Sequence, residues 1–164
     1  MTYSCPIWTT SETPLLVEES LEKAQQTKLL RFIDGAKIKS SDKVLEIGTG
    51  WGSFAIEAVR RTGCHVTSLT LSKEQKRLAE GRIIEAGFDQ NIKVLLMDYR
   101  ELPTPEEPYD KIVSIEMLEA VGEEYLSNYF GCVDRMLKSD GGIAMFQCIT
   151  MPEGRHKSYS KSEE

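Results

Sequence analysis

The sequence predicts an α/β protein in which a mainly parallel sheet is covered by helices on both faces. Two observations support this prediction: after residue 18 short apolar runs alternate with longer amphipathic segments, and the first apolar run ends in a glycine-rich turn. Because a helical segment separates successive strands, right-handed crossovers and parallel pairing are expected. The 164 residues are enough for one domain with a substantial core.

The period of the apolar residues distinguishes the predicted helices from the predicted strands. Four segments carry apolar side chains every three or four residues and are predicted helices: 18–36, 53–61, 72–86 and 123–137. Five short runs of branched or large apolar residues are predicted buried strands: 43–48, 65–70, 92–97, 111–115 and 142–149. Three prolines make the segment 102–109 an irregular loop.

This pattern divides the chain into three parts. Residues 1–17 form an N-terminal segment, and residues 18–150 contain the alternating helices and strands. Residues 151–164 are polar and lack an apolar stripe, so we expect them to be a disordered tail.

Charge and composition exclude several classes of protein. The formal net charge is −6 and the basic residues are spread along the chain, which argues against sequence-independent nucleic-acid binding. The first residues lack the basic flank and apolar run of a signal peptide, and no stretch approaches the roughly 20 apolar residues of a membrane span. We therefore expect a cytoplasmic protein.

The four cysteines are Cys5, Cys64, Cys132 and Cys148, which lie far apart in the sequence. They form no CxxC pair, and no histidine stands at zinc-ligand spacing. The sequence therefore predicts no metal site, and we expect reduced thiols that are mostly buried, Cys5 excepted.

The glycine-rich turn after the first strand is the strongest candidate for a ligand site. In an open parallel sheet this turn faces the ligand. Gly48 permits a sharp turn, Gly50 lets a ligand approach the backbone, and Gly52 lets the next helix pack closely. A dinucleotide fingerprint requires its third glycine at the position of Ser53, which weighs against NAD. With Glu46 at the strand end, the turn is similar to motif I of S-adenosylmethionine-dependent methyltransferases; a tight turn without a ligand is the alternative.

Polar residues also follow the second strand. Thr70 and Gln75 could hydrogen-bond the hydroxyl groups of a ligand without adding charge. The alternative is structural, because Ser72 and Gln75 have the spacing of a helix capping box.

Acidic residues follow the third and fourth strands. Asp98 could accept a hydrogen bond from an adenine amine, and the ring of Tyr99 could cover the adenine face; a turn cap is the alternative for Asp98. Glu116 and Glu119 lie near the expected ligand edge, where they could take part in chemistry or simply be solvated.

Together these motifs resemble the cyclopropane-fatty-acid synthase and mycolic-acid methyltransferase family, a group of class I methyltransferases with a Rossmann-like fold. The resemblance spans residues 3 to about 159 and is closest to the fungal and plant branch. It rests on these blocks: Tyr3–Cys5, Val44–Ala55, Thr70–Gln75, Asp98–Arg100, Tyr109–Gly122 and Gln147–Pro152.

The resemblance implies transfer of a methyl or methylene group from S-adenosylmethionine to the cis double bond of an unsaturated phospholipid acyl chain. The implied partners are therefore acyl chains at a membrane surface, where the protein would be peripheral. An alkene is a poor nucleophile, so the sulfonium must be held in line with the π bond. The resulting carbocation needs a base and protection from water.

The resemblance also assigns residues to these tasks. A bound bicarbonate ion is implied as the base, held by Cys5, Glu119, Gln147 and Ile149. Bacterial members have histidine at the position of Gln147, whose amide can donate a hydrogen bond but cannot carry a positive charge. Residues of the matching blocks would bind S-adenosylmethionine: Tyr3, Ser4, Glu46, Gly48, Gly50, Trp51, Gly52, Thr70, Leu71, Gln75, Asp98, Tyr99 and Arg100.

Class I methyltransferases normally have seven strands, and five are predicted here. A tyrosine of the implied bicarbonate site lies in a region beyond this sequence, so we expect a C-terminally truncated chain. Two alternatives to the lipid enzyme follow, namely an inactive S-adenosylmethionine-binding fragment and a methyltransferase for a small molecule.

Overall fold

The computed structural model describes residues 2–9, 19–150 and 152–155. Within these residues, helices and strands alternate in chain order: α1 (Leu21–Gly35), β1 (Lys43–Ile47), α2 (Ser53–Thr62), β2 (His65–Thr70), α3 (Lys73–Glu85), β3 (Ile92–Leu96), β4 (Lys111–Ile115), α4 (Leu126–Met136) and β5 (Ile143–Gln147). Three short 3₁₀ turns lie at the carboxyl side of the sheet: Tyr99–Glu101, Leu118–Ala120 and Glu123–Tyr125.

The five strands form one parallel sheet in the order β3-β2-β1-β4-β5. β1 is central and pairs with β2 on one side and β4 on the other. The strand order therefore reverses between β1 and β4, and a cleft opens beyond the carboxyl ends of these two strands. The predicted fold class, with its five parallel strands, is confirmed.

Each face of the sheet carries its own hydrophobic core, because successive residues of a strand point to opposite faces. Val44 of β1 packs in one core with residues of α1, α2 and α3, whereas Leu45 packs in the other core with residues of α4. The prediction of helices on both faces is thus confirmed. None of the described helices is both long and apolar enough to cross a lipid bilayer.

Apart from the start of the first helix, two element boundaries lie two or three residues from the sequence prediction, and the others agree to within one residue. The helix predicted over 123–137 begins only at Leu126, because Gly122 has a φ of +81° and residues 123–125 form a 3₁₀ turn. The strand predicted over 142–149 ends at Gln147, because its partner strand ends at Ile115, which pairs with Gln147. A strand paired on one side only cannot extend beyond its partner's ladder.

The chain ends are described in part. The first predicted helix begins after Ser20, whose side chain accepts a hydrogen bond from the Lys23 N–H. In the expected tail, residues 153–155 form a single helical turn. The expectations for residues 10–18 and 156–164 lie outside the described residues.

Candidate functional site

The predicted site residues lie at one edge of the sheet, where all five parallel strands have their carboxyl ends. The glycine turn follows β1, Thr70 ends β2, and Asp98 follows β3. Glu116 follows β4, and Gln147 ends β5. Residues that are up to 100 positions apart in sequence are therefore gathered around the point where the strand order reverses.

The glycine turn has a backbone that favours glycine at three positions. Gly48, Gly50 and Gly52 have φ angles of +105°, +51° and +79°. A Cβ atom on Gly52 would lie 3.1 Å from the Cβ of Ala79, so α2 and α3 pack together at this point. The N–H groups of Gly48 and Thr49 both donate to the carbonyl oxygen of Leu69, at 3.0 and 2.8 Å, which fixes the turn to β2.

Glu46 lies beneath the turn and is only 4% exposed. Ser68 Oγ lies 2.5 Å from Glu46 Oε2 and 2.6 Å from Thr49 Oγ1, so the three side chains form one buried polar group. Burial raises the pKa of Glu46 to about 8, although the hydrogen bond from Ser68 acts in the opposite direction. Glu46 therefore supports the turn and also lines the cleft above it.

Residues 2–9 run beside α1, and Thr2, Tyr3 and Ser4 face the glycine turn across a cleft. Ser4 is buried, and its carbonyl oxygen accepts a hydrogen bond from Gln25 Nε2 at 2.7 Å. The ring of Tyr3 approaches within 3.6 Å of the place where a Cβ of Gly50 would lie. The N-terminal segment and the glycine turn thus form opposite walls of one cleft: Thr2, Tyr3, Ser4, Leu29, Glu46, Gly48, Thr49, Gly50, Trp51, Ser53, Phe54 and Ile115.

Lys28 was missed by the sequence analysis. This lysine of α1 is fully buried, and its Nζ donates to Ser4 Oγ at 2.5 Å. Burial lowers the pKa of Lys28, whereas the nearby charges of Glu116 and Cys5 act to raise it. The burial of Lys28 could have been predicted from its position on the apolar stripe of α1, four residues after Ala24 and four before Phe32.

We predict that Lys28→Met loosens residues 2–9 without unfolding the domain. Methionine fills the same space, but it cannot donate to Ser4 or balance the charge of Glu116. The backbone N–H groups of Cys5 and Ile7 should therefore exchange with deuterium at least about 10-fold faster. The matched control is Lys23→Met on the exposed side of α1. Unchanged exchange rates in Lys28→Met would contradict the role of this lysine.

At the end of β2 the capping-box alternative is half correct. Ser72 Oγ accepts from the Gln75 N–H at 3.2 Å and so caps α3. The Gln75 side chain does not return to the Ser72 N–H, which donates to Thr70 Oγ1 instead. Thr70 Oγ1 donates to Gln75 Oε1 at 2.8 Å, while Leu71 is 68% exposed just after the end of β2. Roles for these residues in ligand binding stay predictions.

At the end of β3, Asp98 is a cap. Its Oδ1 accepts from the Arg100 N–H and Nε, at 2.9 and 3.0 Å, and its Oδ2 accepts from Nη2 at 2.6 Å. The guanidinium holds the pKa of Asp98 below its usual range. The ring of Tyr99 packs edge-on against Tyr129, with 5.0 Å between centroids. An adenine contact would therefore share the carboxylate of Asp98 with Arg100.

The four residues assigned to a bicarbonate site form two pairs. Cys5 and Gln147 meet, because Gln147 Nε2 donates to the Cys5 carbonyl oxygen at 3.3 Å. Ile149 and Glu119 meet, because the Ile149 N–H donates to the Glu119 carboxylate. The carboxylate of Glu116 accepts from both the Cys5 N–H, at 2.8 Å, and Gln147 Nε2, at 2.7 Å. The sequence analysis considered that Glu116 could take part in chemistry or be solvated, but it did not assign Glu116 to the bicarbonate site.

The cysteines correct one expectation. Cys64 and Cys132 are buried, but Cys148 is exposed because it follows the last paired residue of β5. No group of three or more histidine, cysteine, aspartate or glutamate residues within the described ranges could hold a metal ion.

Comparisons with known proteins agree with this geometry. The family model described as mycolic acid cyclopropane synthetase matches residues 1–163. The tuberculostearic acid methyltransferase of Mycobacterium tuberculosis is 42% identical over 158 residues, covering 94% of this chain and 35% of the relative. The cyclopropane-fatty-acyl-phospholipid synthase of Escherichia coli is 37% identical over 141 residues, covering 86% of this chain and 33% of the relative.

A solved structure shows the same architecture. The mycolic acid cyclopropane synthase CmaA1 complexed with SAH and CTAB superposes with a TM-score of 0.81 at 26% identity, covering 99% of this chain and 53% of that one. The chain spans about a third of the length of the two curated relatives. It belongs to the mycolic acid cyclopropane synthetase family and has the Rossmann-like fold of class I methyltransferases.

Proposed function

We propose that the protein transfers a methyl or methylene group from S-adenosylmethionine to the cis double bond of an unsaturated phospholipid acyl chain. The observation that carries this proposal is the cleft between the glycine turn and the Tyr3–Ser4 segment, which lies where the strand order reverses. The chain in which this cleft occurs belongs to a family of lipid-modifying methyltransferases. The lipid-modifying relatives support the substrate class.

The residues present fit S-adenosylmethionine. Gly50 leaves space beside Tyr3 that a side chain would fill, and Gly48 lines the same cleft without a side chain. Thr70 and Gln75 supply polar groups of the kind that bind ribose hydroxyls, and the exposed Leu71 offers an apolar surface suited to adenine. When bound, S-adenosylmethionine supplies an electrophilic methyl group on a sulfonium.

The residues fit a bound bicarbonate less well. The Cys5 N–H and the Gln147 amide, which would donate to such an ion, donate to Glu116 instead. We therefore derive no step through bicarbonate.

The remaining tasks fall to groups on this chain. Thr2, Tyr3 and Ser4 line one side of the cleft and limit the access of water, which would otherwise capture a carbocation. We propose a cytoplasmic protein that meets its lipid at a membrane surface. Because the net charge is −6, apolar contacts rather than basic residues would hold it there.

The proposal is tested in two steps. Titration calorimetry should detect binding of S-adenosylmethionine and of its demethylated product to the folded protein. Lipids of cells expressing the protein with an isotope-labelled methyl donor should then contain labelled cyclopropane or methyl-branched acyl chains, which mass spectrometry detects. Absence of cofactor binding would refute the methyltransferase assignment; binding with label only in small molecules would refute the lipid substrate.

A further inference from the structure

Glu116 has an unusual backbone conformation at a central position. It follows β4 beside the reversal of strand order, and its φ of +51° lies in the left-handed region. For a residue other than glycine this conformation is unfavourable, because the Cβ atom comes too close to the backbone. Its own N–H donates to the Gln147 carbonyl at 2.8 Å, which holds the backbone in place. The strained backbone is thus fixed by its neighbour strand.

The side chain of Glu116 accepts hydrogen bonds from the same donor groups that a small bound anion would need. Its Oε1 accepts from the Cys5 N–H and from Gln147 Nε2. A second anion at the same donors would lie about 4 Å from this carboxylate, where like charges repel strongly at the effective dielectric constant of a protein surface. The site is therefore already occupied by a charge of the protein itself.

From this arrangement, and resting on the proposed function, we propose that Glu116 is the base of the reaction and replaces a bound anion. The π electrons of the alkene form a carbon–carbon bond to the methyl group as the sulfur–carbon bond breaks, and a neighbouring acyl carbon becomes cationic. Glu116 then takes a proton from the transferred carbon. The electron pair of that C–H bond closes the ring, and the protonated carboxyl returns its proton to water.

The charge state of Glu116 suits this task. Burial acts to raise its pKa, but the hydrogen bonds from Cys5 and Gln147 and the nearby Lys28 ammonium outweigh burial and lower the pKa below its ordinary value. The carboxylate is therefore ionised near neutral pH. A carbocation is so strong an acid that a weakly basic carboxylate is sufficient to deprotonate it.

Glu116→Gly tests the proposal and should leave the protein folded. Glycine accepts a φ of +51° at no steric cost, so the variant should be at least as stable as the parent. Lys37→Gly is the matched control, because Lys37 is exposed, has a φ of +53° and lies in the connection between α1 and β1. Glu116→Gln removes the charge but keeps the side chain between the two donors.

The first measurement is anion binding, followed by NMR with ¹³C-labelled formate as the probe. Glu116→Gly should bind formate at least about 10-fold more tightly than the parent, Lys37→Gly and Glu116→Gln, because only Glu116→Gly leaves the donors unoccupied. Equal binding by the parent and Glu116→Gly would overturn the proposal. This result does not depend on whether the protein methylates lipids.

The second measurement is incorporation of labelled methyl groups into unsaturated phospholipid vesicles in carbonate-free buffer. The parent and Lys37→Gly should be active, and Glu116→Gly should lose at least about 100-fold in rate and recover at least about 10-fold with added formate. Glu116→Gln should be inactive and should not recover. Full activity of Glu116→Gly, or a parent that requires bicarbonate, would overturn the role of Glu116. A parent that binds no S-adenosylmethionine would instead refute the proposed function.

Discussion

Replacing Gly50 with valine should lower the affinity for S-adenosylmethionine at least about 100-fold. A branched side chain at a φ of +51° costs on the order of 1–2 kcal/mol in the backbone. Its Cβ would lie 3.6 Å from the ring of Tyr3, and its methyl groups would project further into the cleft that the ligand needs. The backbone strain is the same with and without ligand and lowers the stability of the fold, whereas the obstruction of the cleft should cost roughly 3 kcal/mol of binding free energy. Titration calorimetry on the folded variant measures the loss.

The chain offers a matched control for this prediction. Gly87 has a φ of +74°, follows α3 and would place a Cβ in open space. Gly87→Val therefore imposes similar backbone strain away from the cleft, and it should lower the unfolding midpoint without changing the affinity for S-adenosylmethionine. If both variants bound the ligand equally well, the Gly50 position would not be part of the binding site.

The fold and the glycine turn could be predicted because their signals are local. Each strand of the sheet is a short apolar run, and the turn requires glycine within a span of five residues. Parallel strands place their carboxyl ends at one edge, so the residues after each strand could be assigned to a common site. No contact between distant residues was needed for these predictions.

The roles of Lys28 and Glu116 could not be predicted in the same way. Glu116 gains its significance from a hydrogen bond to Cys5, 111 residues earlier in the chain, and from a left-handed backbone that no local pattern encodes. The burial of Lys28 could be expected from its place on the apolar stripe of α1, but its hydrogen bond to Ser4 depends on how residues 2–9 lie against that helix. Asp98 shows the converse case, because its cap on Arg100 is local and was already an alternative in the sequence.

The register of the sheet determines which side chain of β2 lies next to Glu46. This strand residue shares its face with Ser68 of the neighbouring strand, because Glu46 and Ser68 are register partners. The same burial that raises the pKa of Glu46 to about 8 makes its ionised form costly. In the unfolded chain its pKa is near the ordinary value of 4.5. Between these two values the folded protein holds a proton that the unfolded chain has lost.

The stability of the protein should therefore fall as the pH rises through this window. The contribution of Glu46 is fully present below its unfolded pKa and is lost by the time the pH passes about 8. Each unit of pKa difference corresponds to about 1.4 kcal/mol, so the whole loss is roughly 5 kcal/mol. This is a large part of the net stability of about 5–15 kcal/mol that is usual for a domain.

Glu46→Gln should remove this pH dependence. The amide oxygen can still accept from Ser68, and the side chain carries no charge at any pH. Urea unfolding at about pH 5 and about pH 9 should give the parent a lower midpoint at the higher pH, whereas the midpoint of the variant should change by much less. The control is Glu85→Gln at the exposed end of α3, which should follow the parent. A variant that lost stability with pH as steeply as the parent would show that another buried group governs the effect.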